Sequence, residues 1–220
     1  MSAVDLYKIQ ATLAKHRQVE PAWKTSYAKF LDDSRVAHLE AGGYVFENLS
    51  VYMTLIQLLA PAVRSTTEPP RVLDVGCGTG FLTMVMAHLV APNAGHVTAI
   101  DVFERQVQHA ERDMRAVRPD LLPVCTFAVA NAWSFQSEQK FDAIAVAAQC
   151  ATVPQNLVAL LKPGGRLVLP LGPVVPINSK RADKYNPYWL VEAGAEGEPP
   201  VREERAGPIS VNFLPLLPVA

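Results

Sequence analysis

A glycine-rich heptapeptide, residues 74–80 (DVGCGTG), carries the clearest chemical signal in this 220-residue sequence. It lies between an apolar segment typical of a strand and an apolar segment typical of a helix. Glycines at alternate positions allow a tight turn and let a ligand approach the backbone more closely than a Cβ would permit. This pattern predicts a nucleoside cofactor site, and the alternative is a purely structural turn.

The acid that precedes the first glycine discriminates between nucleoside cofactors. A dinucleotide places its pyrophosphate at the N-terminus of the following helix, where a carboxylate would repel it. S-adenosylmethionine instead carries an ammonium and a sulfonium, which a carboxylate attracts. The motif therefore favours S-adenosylmethionine, and the residues predicted to bind it are Asp74, Gly76, Cys77, Gly78 and Gly80.

Further candidates follow from the rule that ligands of open α/β sheets lie beyond the carboxyl ends of the strands. Asp101, 21 positions after Gly80, is predicted to accept hydrogen bonds from both ribose hydroxyls, or alternatively to be an acid at a helix N-terminus. Asn131, with the neighbouring Ala132, is predicted to bind the adenine amino group, although asparagine is also an ordinary turn former. Val102 would pack on the adenine face, or form a minor core contact.

Strand-like and helix-like segments alternate through the middle of the sequence and would position these residues. Predicted strands cover residues 71–75, 96–101, 124–130, 141–148 and 166–171. Predicted helices cover 81–90, 104–117 and 154–161, with a turn at 162–165. This alternation predicts an α/β fold, a doubly wound and mostly parallel sheet with helices on both faces.

The two flanking parts of the sequence have different patterns. Predicted helices at 5–19, 22–31 and 49–63 precede the sheet, and predicted strands at 188–192, 201–204 and 210–216 follow it as an antiparallel addition. We therefore expect one domain over residues 1–220. It would comprise a helical extension (1–69), a cofactor-binding core (70–173) and C-terminal strands (174–220).

Composition restricts the possible partners. A formal net charge of −1 gives no overall field that would attract nucleic acid or an anionic membrane. The three cysteines and five histidines have no metal-ligand spacing, so no metal site is expected. The first residues lack the pattern of a signal peptide, and no apolar run approaches the ~20 residues of a spanning helix. We expect a cytoplasmic monomer.

Several segments resemble motifs of the protein-L-isoaspartate O-methyltransferase family. Residues 72–83 (VLDVGCGTGFLT) resemble its first motif, and 141–148 (FDAIAVAA), followed by 153–155 (VPQ), resemble a second. Residues 161–173 (LKPGGRLVLPLGP) end in the Pro-x-Gly that the family favours, and 211–216 (VNFLPL) are similar to its closing strand. The resemblance implies a Rossmann-like class I methyltransferase fold. It also implies methylation of the free carboxyl of L-isoaspartyl residues in damaged proteins or peptides.

The segment that carries the active-site serine in this family differs here. Residues 43–53 (GYVFENLSVYM) align either Glu47 or Ser50 with that serine, depending on where the gap is placed. We predict Ser50 as the catalytic residue that orients the acceptor, with Asn48 and Tyr52 as other possible donors. A carboxylate acceptor is ionised at neutral pH and needs no base, whereas Glu47 would serve as a base for a phenol, alcohol or amine. The alternative functions are a divergent methyltransferase with another acceptor and a cofactor-binding module without turnover.

Overall fold

A seven-stranded mixed sheet forms the centre of the fold. The computed structural model describes residues 49–173, 186–195, 198–211 and 216. Its helices are α1 (Leu49–Ser65), α2 (Phe81–Val90), α3 (Glu104–Val117) and α4 (Gln155–Ala159). Its strands are β1 (Arg71–Val75), β2 (His96–Asp101), β3 (Cys125–Val129), β4 (Phe141–Val146), β5 (Leu161–Pro170), β6 (Asn186–Glu192) and β7 (Arg202–Val211). The helices predicted at 5–19 and 22–31 lie outside the described residues.

The strand order confirms the predicted fold class. Across the sheet the order is β3-β2-β1-β4-β5-β6-β7. The first five strands are parallel to one another, and β6 and β7 continue the sheet in antiparallel orientation. The order reverses between β1 and β4, and the chain following β1 at this edge is the glycine-rich segment. This is the position at which open α/β sheets bind ligands.

Apolar side chains alternate between the two faces of the central strands. Val72 of β1 packs into a cluster with residues of α1, α2 and α3, whereas Leu73 and Val75 pack into a second cluster with Leu157 of α4. All six residues of β4 are buried, as expected for a parallel strand that is covered on both sides. The second face is covered more sparingly, because α4 has five residues and the connection between β3 and β4 contains no helix.

The turn predicted at 162–165 lies inside β5 rather than before it. Leu161 pairs with Phe141 and Arg166 pairs with Ala143, so the intervening residues of β5 bulge out of the ladder. Gly164, at φ +72°, supplies the left-handed conformation that this bulge needs. The sequence correctly predicts a turn at residues 162–165, but it does not reveal that one strand continues on both sides of this turn.

The two strands predicted at 201–204 and 210–216 are also one strand over their described part, β7. Trp189 of β6 pairs with Arg205, and Pro187 pairs with Ser210, so the register shifts between these pairs. Pro208 lies between the paired residues Arg205 and Ser210, where the register shifts, and proline has no N–H to donate to a ladder. Residues 212–215 lie outside the described residues.

Among the described helices, none combines the length and apolarity required to cross a bilayer.

Candidate active site

The glycine loop, residues 76–80, is held against the end of β2 by its own backbone. Gly76, Gly78 and Gly80 adopt φ values of +78°, +47° and +73°, which side chains rarely tolerate. The N–H groups of Gly76 and Cys77 both donate to the Ile100 carbonyl, at 2.8 and 3.0 Å. The Gly80 N–H closes the turn by donating to the Cys77 carbonyl at 2.7 Å. These backbone hydrogen bonds therefore give the loop a defined conformation.

Close packing explains why Gly80 is a glycine, while Gly76 has room for a Cβ and depends on its positive φ alone. A Cβ added to Gly80 would lie 2.9 Å from the Cβ of Ala110 on α3, closer than two carbons can approach. A Cβ added to Gly76 would lie 3.4 Å from the carbonyl oxygen of Ala147, which follows β4. The loop thus lies against α3 on one side and the residue after β4 on the other.

Asp101 connects the glycine loop to the end of β2. Its Oδ2 accepts a hydrogen bond from the Gly78 N–H at 2.9 Å, and its Oδ1 accepts from the Phe103 N–H at 3.0 Å. Burial raises the pKa of Asp101, and these backbone hydrogen bonds partly oppose the shift. The contact with Phe103, which caps α3, matches the helix N-terminal alternative. Each carboxylate oxygen has further lone pairs, so the ribose role stays a prediction.

Asp74 is a fully buried carboxyl in the described structure. Its Oδ2 accepts a hydrogen bond from the Thr83 hydroxyl of α2 at 2.6 Å, and its Oδ1 has no hydrogen-bond partner. Burial raises the pKa of Asp74 from 3.8 to about 7, the Thr83 hydrogen bond lowers it, and the charge of Asp101 raises it further. A buried carboxylate of this kind is stabilised by a nearby cation.

The sequence motif did not reveal Thr83 as a partner of the acid. Thr83 is nine residues after Asp74 and completely buried, three positions into the helix that follows the loop. A hydroxyl on the first turn of that helix, facing the preceding strand, is the signal that could have identified it. Thr83 fixes the orientation of the Asp74 carboxyl.

The residues after β2 and β3 occupy the expected edge of the sheet. The Asn131 side-chain oxygen accepts a hydrogen bond from the Trp133 N–H at 2.9 Å. Asn131 therefore forms a turn, which was the alternative to its predicted role in binding adenine. Ala132 is buried, and its carbonyl accepts from the Asn156 side chain at 2.6 Å. Val102 is 39% exposed and does not belong to a core cluster. Their contacts with adenine stay predictions.

The cysteine of the loop packs inward. The Cys77 side chain lies in a small apolar cluster with Ala99 and Ala110, and burial, followed by the charges of Asp101 and Asp74, raises the pKa of its thiol. Any ligand contact of Cys77 would therefore come from its backbone.

Within the described ranges, no group of three His, Cys, Asp or Glu side chains could hold a metal ion.

The described part of the predicted catalytic segment begins at the start of α1. Ser50 is the second residue of this helix, but its side chain lies outside what the structure describes, as do Glu47 and Asn48. The ring of Tyr52 is buried and meets the ring of Phe81 edge-on, with centroids 4.6 Å apart and an interplanar angle of 70°. Because Phe81 directly follows the glycine loop, this contact places the first turn of α1 beside that loop.

Comparison with known proteins supplies the context for this arrangement. The family model of protein-L-isoaspartate(D-aspartate) O-methyltransferase matches residues 42–194. A protein-L-isoaspartate O-methyltransferase of Aeromonas salmonicida is 38% identical over 152 residues, which cover 68% of this chain and 63% of that protein. Its counterpart in Methanothrix thermoacetophila is 34% identical over 150 residues, covering 68% and 62%. The chain therefore matches less than two thirds of the length of these curated relatives.

Solved structures show the same fold. A Plasmodium falciparum protein described as a beta-aspartate methyltransferase, in complex with S-adenosyl-L-homocysteine, superposes with a TM-score of 0.60 at 19% identity. That superposition covers 94% of this chain and 97% of the other. Since the family model covers well over half of the sequence, the chain belongs to the protein-L-isoaspartate(D-aspartate) O-methyltransferase family.

Proposed function

We propose that this protein is an S-adenosylmethionine-dependent O-methyltransferase that methylates the free carboxyl of L-isoaspartyl residues in proteins or peptides. Family membership over residues 42–194 supports the reaction class. The observation that carries the cofactor assignment is the buried Asp74, which has no cationic partner among the described residues and lies at the base of the glycine loop. A ligand that brings positive charge to this loop would supply the missing counter-charge.

The residues on the cofactor side fit such a ligand. The positive-φ glycines leave the backbone open to close approach, and Asp101 has lone pairs available for a ribose diol. Val102 offers an exposed apolar surface, and Asn131 and Ala132 lie at the next strand end. When bound, S-adenosylmethionine would supply an electrophilic methyl group. The named residues would hold the nucleoside and orient that methyl toward the acceptor.

The acceptor side requires alignment more than proton transfer. An isoaspartyl carboxyl is ionised at neutral pH, so this chain needs no general base for it. What the protein contributes is the placement of a carboxylate oxygen at attack distance and the exclusion of water. We assign the orienting hydrogen bond to Ser50, because the Tyr52–Phe81 contact brings the first turn of α1 next to the glycine loop.

The remaining assignments complete this proposal. Residues 70–173 would bind the cofactor, while residues 1–69 and 174–220 would complete a single domain around it. The partners would be proteins or peptides that carry isoaspartyl residues, with no nucleic acid. We place the protein in the cytoplasm as a monomer. Size-exclusion chromatography with light scattering would test the oligomeric state directly.

A methyl-ester assay tests the acceptor. With S-adenosylmethionine carrying a labelled methyl, an isoaspartyl peptide should form a base-labile ester, and the same peptide with normal aspartate should not. Ser50→Ala should lower turnover while leaving cofactor affinity within about twofold, since its hydrogen bond acts on the acceptor. Ser137→Ala, in the loop before β4, is the matched control and should behave as the wild type.

Two results would contradict this assignment in different ways. If the protein binds S-adenosylmethionine but forms no ester on the isoaspartyl peptide, the acceptor is a different one. Glu47, which can align with the family serine, favours a phenol, alcohol or amine in that case. If a nicotinamide dinucleotide binds and S-adenosylmethionine does not, the cofactor assignment itself is wrong.

A further inference from the structure

The Asp74 carboxyl lies in the middle of the sheet, one residue before the end of β1. Its backbone is in register with Ala99 of β2 on one side and Ala145 of β4 on the other. The side chain is 0% exposed, and among the described residues Thr83 donates the one hydrogen bond that the carboxyl accepts. In the described ranges, no lysine, arginine or histidine side chain forms an ion pair with it.

The ionisable groups around Asp74 do not compensate a negative charge. Asp101, from the end of β2, is itself acidic and acts on Asp74 by repulsion. Cys77 in the loop and Cys125 on β3 also interact with Asp74, and its charge contributes to raising the pKa of both thiols. On the α2 side the interacting group is the Thr83 hydroxyl. The described residues thus offer the ionised carboxyl a single hydrogen bond and no cation.

We propose that Asp74 holds a proton in the free protein and releases it when the cationic cofactor binds, with Thr83 as the positioning residue for the carboxylate. The inference rests on the proposed function, since S-adenosylmethionine is the ligand that would bring the positive charge. The O–H bond of the carboxyl breaks and the proton passes to solvent or buffer. The resulting carboxylate keeps the Thr83 hydrogen bond and gains the ligand charge as its counter-charge.

This linkage has a measurable size. With the pKa of Asp74 at about 7 in the free protein and the carboxyl ionised in the complex, binding releases about 0.9 proton at pH 6 and about 0.5 at pH 7. The association constant should rise about fivefold over the same interval by the same linkage. Cofactor affinity would therefore fall when the surrounding pH falls below neutral.

Isothermal titration calorimetry with S-adenosylmethionine tests the proposal on the full chain. Titrations at pH 6, 6.5 and 7, each in two buffers of different ionisation enthalpy, give the number of protons released per ligand bound. Over this interval, at least about four fifths of the ligand's own α-amino groups are already protonated. Asp74→Asn should abolish the release, whereas Glu138→Gln, which removes an exposed carboxyl in the loop before β4, should retain it.

The Thr83 variants separate positioning from structure. Thr83→Val removes the hydrogen bond that lowers the pKa of Asp74, so proton release should extend to higher pH. Thr83→Ser keeps the hydroxyl and should give the wild-type profile. A role of Thr83 in packing alone would change affinity equally at every pH and would leave the release unchanged.

Each outcome decides the question. Binding without proton release by the wild type, or release that persists in Asp74→Asn, would overturn the proposal while leaving the cofactor assignment intact. If S-adenosylmethionine does not bind at any pH, the cofactor assignment fails first and the proposal fails with it. If Asp74→Asn does not fold, the wild-type buffer series and the comparison of Thr83→Val with Thr83→Ser still give the answer.

Discussion

Asp74→Asn should stabilise the ligand-free protein increasingly as the pH rises. Burial raises the pKa of Asp74 from 3.8 in a model peptide to about 7 in the fold. Between these values the folded protein holds a proton that the unfolded chain has released, so the stability of the wild type falls as the pH rises through this window. Asparagine has a similar shape and no proton to lose, so the variant should not show this fall.

The expected magnitude follows from the width of the window. From 3.8 to about 7, the full loss of stability is about 4 kcal/mol at 1.36 kcal/mol per pKa unit. The part that lies between pH 5 and pH 8 is about 3 kcal/mol by the same relation. The difference in free energy of unfolding between Asp74→Asn and the wild type should therefore grow by about 3 kcal/mol over this interval.

Urea unfolding of the ligand-free proteins at pH 5 and pH 8, followed by circular dichroism, measures this difference. Any effect of the amide on the Thr83 hydrogen bond is present at both pH values and cancels. Glu138→Gln, which removes an exposed carboxyl in the loop before β4, controls for the loss of one charge from the molecule. A difference that stays constant or shrinks between the two pH values would refute the reasoning.

Four further outcomes are expected. Gly80→Ala should destabilise the protein by about 3 kcal/mol. The added Cβ would lie 2.9 Å from the methyl of Ala110, and alanine is also strained at φ +73°. Gly164→Ala, at φ +72° with no atom near the added Cβ, should lower the free energy of unfolding by only about 1 kcal/mol. Equal losses of stability in the Gly80→Ala and Gly164→Ala variants, measured by urea unfolding, would show that the contact with Ala110 adds nothing. Asp101→Ala should weaken cofactor binding by about 1–3 kcal/mol in calorimetry, and unchanged affinity would argue against a contact. Arg166→Gln should lower stability by about 1–2 kcal/mol, since Arg166 donates to the Leu58 carbonyl of α1 and pairs with Glu192 of β6. Unchanged stability in urea unfolding would show that these interactions contribute little.

Local sequence signals predicted most of the sheet. The bounds of β1, α2, β2 and α3 were predicted to the residue, because apolar periodicity and glycine punctuation are local properties. The errors lie where pairing with a distant strand decides the outcome. The continuation of β5 through residues 162–165 depends on its partner Phe141, and the merging of two predicted strands into β7 depends on β6.

The candidate site was predicted in its residues but not in its interactions. The motif identified Asp74 and Asp101 as chemically important, yet no spacing rule indicates that Thr83 donates to one and Gly78 to the other. These contacts require the helix after the loop and the neighbouring strand to be in place. The raised pKa of Asp74 has the same origin, since it arises from burial between β2 and β4 and next to α2.

The backbone bonds of the glycine loop also have an entropic consequence. Fixing the backbone of one residue costs about 1–2 kcal/mol of conformational entropy, and a flexible loop would meet this cost at the moment of binding. In residues 76–80 the bonds to Ile100, Cys77 and Asp101 order the chain during folding instead. The free energy of ligand contact is then available for affinity rather than for ordering the loop.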